Sequence, residues 1–145
     1  MMTRLYLVKI SVLVMVGALV LTTAKAGQLL SGETGVSSRW GSGWLDLDNP
    51  TDFKNKNKLR LTIGGTAKKI KVRLLPKGRS PDTTAGMLPA VFTVPDNRIV
   101  ELKIQGERPQ VVQISVHGGA NPWGKYPLGG KNGPATLESA EIIQP

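Results

Sequence analysis

Cysteine is absent from all 145 residues, histidine occurs once, and aromatic side chains make up 5% of the chain. The first absence removes disulfides, thiol catalysis, thiolate-bound zinc and a lipid anchor on cysteine together. The second leaves a catalytic zinc without its usual ligands. One histidine still permits a Ser-His-Asp arrangement, but no Gly-x-Ser-x-Gly elbow or comparable nucleophile setting accompanies it. These shortages point away from an enzyme and imply no metal and no cofactor. The chain also lacks a sustained 3.6-residue apolar pattern. Its longest apolar run, Ile10 to Leu21, is 12 residues, short of the roughly 18 to 20 needed to span a bilayer.

That run does fit an export signal. Arg4 and Lys9 precede it, and Ala24-Lys25-Ala26 supplies a small-x-small cleavage site, so residues 1–26 are expected to be a cleavable signal peptide. The remainder, 27–145, is read as one domain, secreted or periplasmic, of a length able to bury a core without covalent staples. Loss of three cations with the signal leaves 16 basic against 10 acidic residues, a net +6.

Glycine or proline interrupts this remainder every few residues, and short alternating runs lie between, the signature of an all-β chain. Strands are expected at Arg39–Asp48, Lys58–Ile63, Lys69–Leu74, Ala90–Val94, Arg98–Ile104, Gln110–His117 and Ala135–Ile143. Leu59, Leu61 and Ile63 fall on one face of the second run, and Ile70, Val72 and Leu74 on one face of the third. At least seven such strands are enough for a two-sheet antiparallel β-sandwich. Turns at Gly64-Gly65-Thr66 and Pro95-Asp96-Asn97 read as hairpin connections.

The stretch HGGANPWGKYPLGGKNGPA, 117–135, holds six glycines and three prolines together with Trp123 and Tyr126. It is longer than packing requires, and prolines give it shape. Trp123 and Tyr126 either fold back to plug the open end of the sandwich or present flat faces to a ligand. In the second case Asn121, Asn132, Lys125, Lys131 and the loop-base His117 would supply hydrogen bonds. A sugar ring suits such a site, since its C–H face packs on an aromatic plane while polar groups meet its hydroxyls.

Three further patterns carry a functional and a plain reading side by side. Trp40 and Trp44 share one side of a strand whose other side holds Leu45 and Leu47, which makes them a possible stacking platform; a bulge at Gly41 or Gly43 would instead bury one of them. Lys58, Arg60, Lys69, Lys71 and Arg73 share one sheet face if their strands pair, and would then attract an anionic polymer. The plain reading is that exposed strands carry lysine for solubility. No aromatics interleave with these cations, which argues against nucleic acid. Asp46, Asp48, Asn49 and Asp52 cluster oxygens but lack a calcium-loop pattern, and read as solvated turn residues.

Arg98-Ile99-Val100-Glu101-Leu102, Val111-Val112-Gln113-Ile114-Ser115-Val116, a loop bearing Trp123, and the closing Leu137-Glu138-Ser139-Ala140-Glu141-Ile142 resemble the C-terminal half of galactose-binding-like jelly-roll modules, over residues 90–143. The resemblance implies a jelly roll with carbohydrate bound by loops at one end. It carries over no ligand residues, and the calcium site of many such modules has no match here. The expected function is therefore an exported, non-catalytic binding domain that recognises glycan through 117–135. The alternative is a cationic protein docking on an anionic surface polymer or a protein partner.

Overall fold

The computed structural model describes residues 27–119 and 131–144. Among them are nine strands: β1 (Gln28–Leu29), β2 (Gly32–Ser37), β3 (Ser42–Phe53), β4 (Lys58–Gly65), β5 (Lys69–Pro76), β6 (Met87–Thr93), β7 (Ile99–Lys103), β8 (Arg108–His117) and β9 (Ala135–Ile143). They form two antiparallel sheets, ordered β1-β9-β4-β7 and β2-β3-β8-β5-β6. No helix is long and apolar enough to cross a membrane among the described residues.

The strand pairings are nested. β1 pairs with β9, β3 with β8, β4 with β7 and β5 with β6, all antiparallel. The chain is thus one long hairpin, wrapped so that successive pairs alternate between the sheets, and this is the jelly-roll arrangement. Only β2, an added edge strand on β3, stands outside the scheme.

The wrapping overturns both expected hairpins. β4 pairs with β7 and β9, whereas β5 pairs with β6 and β8, so the 64–66 turn carries the chain from one sheet to the other. The 95–97 turn does the same between β6 and β7. The physical reason is burial. Crossing lets Leu59, Leu61 and Ile63 of β4 face Ile70, Val72 and Leu74 of β5 across the core, where all six are buried. A hairpin would have put both apolar rows on one sheet and left them to find another cover. Arg98 fastens the two crossovers together: its guanidinium donates to the carbonyls of Ile63 (3.2 Å), Ala67 (2.8 Å) and Gly64 (3.3 Å).

Ile114 and Val116 of β8 and Leu137, Ala140 and Ile142 of β9 complete the core between the sheets. The sheets approach closely at Gly43, where a β-carbon would lie 2.7 Å from Thr136 Cα. Pairing of β3 with β8 runs unbroken from Ser42–His117 to Asp46–Gln113. Gly43 therefore marks a close sheet contact, not the bulge weighed above, and β3 keeps its parity from Ser42 to Asp46, whereas Trp40 lies before the strand in the 38–41 turn and not on it as expected.

Candidate binding cleft

Unbroken parity puts Leu45 into the core and Ser42, Trp44 and Asp46 on the outer face of the five-stranded sheet. Register then builds rows across that face. Ser42, His117 and Lys71 form one, Trp44, Ser115 and Arg73 the next, and Asp46, Gln113 and Leu75 a third. A cavity of about 540 Å³ lies over these rows, lined by Ser37, Trp40, Ser42, Trp44, Arg73, Pro81, Asp82, Gln113, Ser115 and His117. That volume is within the range of small-ligand sites.

The floor is polar and buried. Arg73 is 4% exposed; its Nε donates to Ser115 Oγ (3.2 Å), and its Nη1 donates to the carbonyls of Pro81 (2.8 Å) and Thr83 (2.9 Å). Arg73 thereby ties the 77–86 connection over β5, and that connection carries Pro81 and Asp82 to the cleft as one wall. Ser115 Oγ and His117 Nε2 share a hydrogen bond of 2.9 Å. Burial first, then Arg73, then Lys71 push the His117 pKa down to about 3, so the imidazole is neutral at physiological pH. Burial also lowers the Arg73 pKa, opposed by the charge of Asp82.

Opposite Asp82 stands Trp44. A β-carbon on Gly35 would meet its indole at 2.5 Å, so the ring lies against the β2 backbone where only glycine leaves room. Leaning outward over β2, the ring leaves the space above Ser115 open. Trp40 sits in the 38–41 turn, 53% exposed, with the Arg39 guanidinium 4.8 Å from its ring centre, a cation–π contact that holds the ring's plane. The turn is anchored at Gly41, whose carbonyl accepts from Gly118 (2.8 Å) and Ala135 (3.1 Å). Both expected platform tryptophans thus line one cleft, and neither enters the core.

Other expected residues are placed differently. Trp123, Tyr126, Asn121 and Lys125 lie outside the described residues. Asn132 is a structural clamp: its Oδ1 accepts from the amides of Lys68 (2.9 Å) and Lys69 (3.0 Å), and its Nδ2 donates to the carbonyls of Lys69 (2.9 Å) and Gly119 (3.0 Å). Every side-chain donor is used and the oxygen carries two bonds, so no group remains to meet a ligand. His117 faces outward as expected, but as a buried member of the floor.

The five cations do not share a face. Lys58 and Arg60 are on β4 in one sheet, whereas Lys69, Lys71 and Arg73 are on β5 in the other. Arg60 is engaged by Glu101 (2.7 Å) and Glu141 (3.4 Å), and Lys71 is only 3% exposed. The expected pairing of their strands was the error, since the crossover sends the two rows to opposite sides of the sandwich. The acidic cluster is also divided. Asp46 accepts from Gln113 Nε2 (2.8 Å), Asp48 from Ser31 Oγ (2.8 Å) and Asp52 from the Gln110 amide (2.8 Å).

The cleft also uses residues that sequence patterns did not single out: Ser37, Ser42, Asp82, Gln113 and Ser115. Ser42 is notable because it is 7% exposed and, among the described residues, its hydroxyl has no hydrogen-bond partner. A buried polar group of this kind costs free energy unless something in the cavity meets it. One signal that part of this outer face is covered was present in the sequence. Leu75 is apolar at an outward position beside Leu74, which marks a covered outer face. No family model matches the chain, and no curated protein or solved structure matches it significantly.

Proposed function

We propose that the protein is an exported, non-catalytic binding domain that recognises carbohydrate in the cleft over β3, β8 and β5. The observation that carries this reading is the pairing of two tryptophan rings with hydroxyl, amide and carboxylate groups around one half-open cavity. A pyranose has an apolar C–H face and a rim of hydroxyls. An aromatic plane receives the first, and Ser37, Ser42, Gln113 and Asp82 receive the second. The reading rests on the cleft and not on the resemblance of residues 90–143 to galactose-binding-like modules.

A serine hydroxyl bonded to an imidazole is also the pairing of a nucleophile with its base. Here the base is mismatched to the task. A general base works best with a pKa near the operating pH, and His117 is held near 3. Ser115 and His117 are therefore assigned to the hydrogen-bonding floor.

Intrinsic tryptophan fluorescence of the protein, titrated with neutral and acidic oligosaccharides at low and high salt, tests the proposal. A response that survives salt and falls roughly tenfold or more in affinity with Trp44→Ala, as loss of a stacking aromatic should cause, is expected. Gly35→Ala should weaken it by displacing the same ring. Trp123→Phe, measured beside them, separates the cleft from the 120–130 segment. Binding untouched by Trp40→Ala and Trp44→Ala would remove the cleft from consideration, and binding that collapses with salt would favour an anionic polymer instead.

A further inference from the structure

Within the carbohydrate reading, on which this step rests, we infer that the cleft selects uncharged sugars and that Asp82 is the residue that rejects acidic ones. Asp82 lines the cavity on an exposed wall, opposite the Trp44 ring. Its backbone amide donates to Ser80 Oγ (3.1 Å), but its carboxylate makes no hydrogen bond or ion pair among the described residues. A carboxylate so placed is a ready acceptor for two neighbouring sugar hydroxyls. Toward a uronate or a sulfated sugar it is a like charge at close quarters, and such juxtapositions discriminate strongly in a partly desolvated site.

The nearest cation is already committed to the wall. Arg73 reaches the cleft from the floor, but three of its hydrogen bonds go to Ser115 Oγ and to the carbonyls of Pro81 and Thr83. Those two carbonyls flank Asp82 on the same connection. An acidic ligand that recruited the guanidinium away from them would loosen the wall that forms its own site. A neutral sugar needs no such exchange. Its hydroxyls can accept from the Ser42 hydroxyl and donate to the Gln113 Oε1, whose amide nitrogen is already engaged by Asp46.

Calorimetric titration of the full chain tests this with neutral gluco-, manno- and galacto-oligosaccharides against glucuronate and galacturonate oligomers of the same length. Wild type should bind a neutral series and discriminate against uronates by on the order of tenfold or more. Asp82→Asn removes the charge and one of the two acceptor oxygens, so it should raise uronate affinity by a similar factor while weakening neutral binding, and the neutral-to-uronate affinity ratio is the readout. A thermal melt of Asp82→Asn serves as the control for folding, because the lost charge also supports the buried Arg73 guanidinium. Uronates bound by wild type as tightly as neutral sugars would overturn the inference and leave the carbohydrate reading standing. Neutral binding with no gain of uronate affinity in Asp82→Asn would remove Asp82 as the selecting group. No response to either series in wild type would overturn the carbohydrate reading itself.

Discussion

His117 is neutral because it is buried beside two cations, and this has a signed consequence for stability. Its pKa is near 3 in the folded protein against 6.5 unmodified. Between those values the unfolded chain takes up a proton that the folded chain refuses. Stability therefore falls as pH drops through that window, with a contribution approaching 1.4 kcal/mol per pH unit at about its steepest. Urea unfolding at pH 7, 5 and 4 should show a shallower decline in His117→Gln than in wild type. Equal slopes would mean that the folded protein protonates His117 readily. The parity of His117, Lys71 and Arg73 was legible from alternation alone. Their burial was not, because alternation says which way a side chain points and nothing about what lies over it. Leu75 held the missing clue, an apolar side chain where a solvated face should have had a polar one.

Strands were easier to read than their partners. The limits of β9 match the expected Ala135–Ile143, and β4 and β5 extend the expected runs by two residues each. β1 and β2 were missed because β1 is only two residues long and the glycine-containing β2 has no apolar alternation to betray it. Pairing was misread where a short turn suggested a hairpin, since local turn chemistry is the same whether the chain stays in a sheet or crosses to the other. Asn132 shows the same limit. Asn132-Gly133 was recognisable as a turn, but the amides that its side chain clamps are 63 and 64 positions away. Asn132→Ala should lower stability by about 1–3 kcal/mol, the cost of leaving such groups unsatisfied, as measured by chemical denaturation. Sugar affinity under folding conditions should be unchanged. Loss of affinity without loss of stability would return Asn132 to the binding site.

The sandwich architecture followed from the count and spacing of the strands, whereas its wrapped pairing, which the expected hairpins at 64–66 and 95–97 contradict, and the position of the cleft did not. Trp44, Arg73 and His117 come from β3, β5 and β8, three strands that are adjacent in space and distant in sequence. No linear motif can display such a site. The nested pairing also makes most contacts non-local, so folding should be slow for a chain of this length. Stopped-flow refolding should give times in the millisecond-to-second range. A microsecond phase carrying the full tryptophan signal would contradict the wrapped order of assembly.

The innermost pair, β5 with β6, is joined by the connection that also forms the Asp82 wall. A protease site inserted there would divide the molecule into two polypeptides, each supplying alternate strands to both sheets. Neither piece owns a complete layer, so the cut protein would hold together by interleaving and keep its shape while native. Once dispersed in denaturant it would face a different problem, for recovery would require two molecules to meet and thread their strands between one another. Its refolding rate would then rise with protein concentration, and a monomer's first-order return to the native state would have become an assembly reaction.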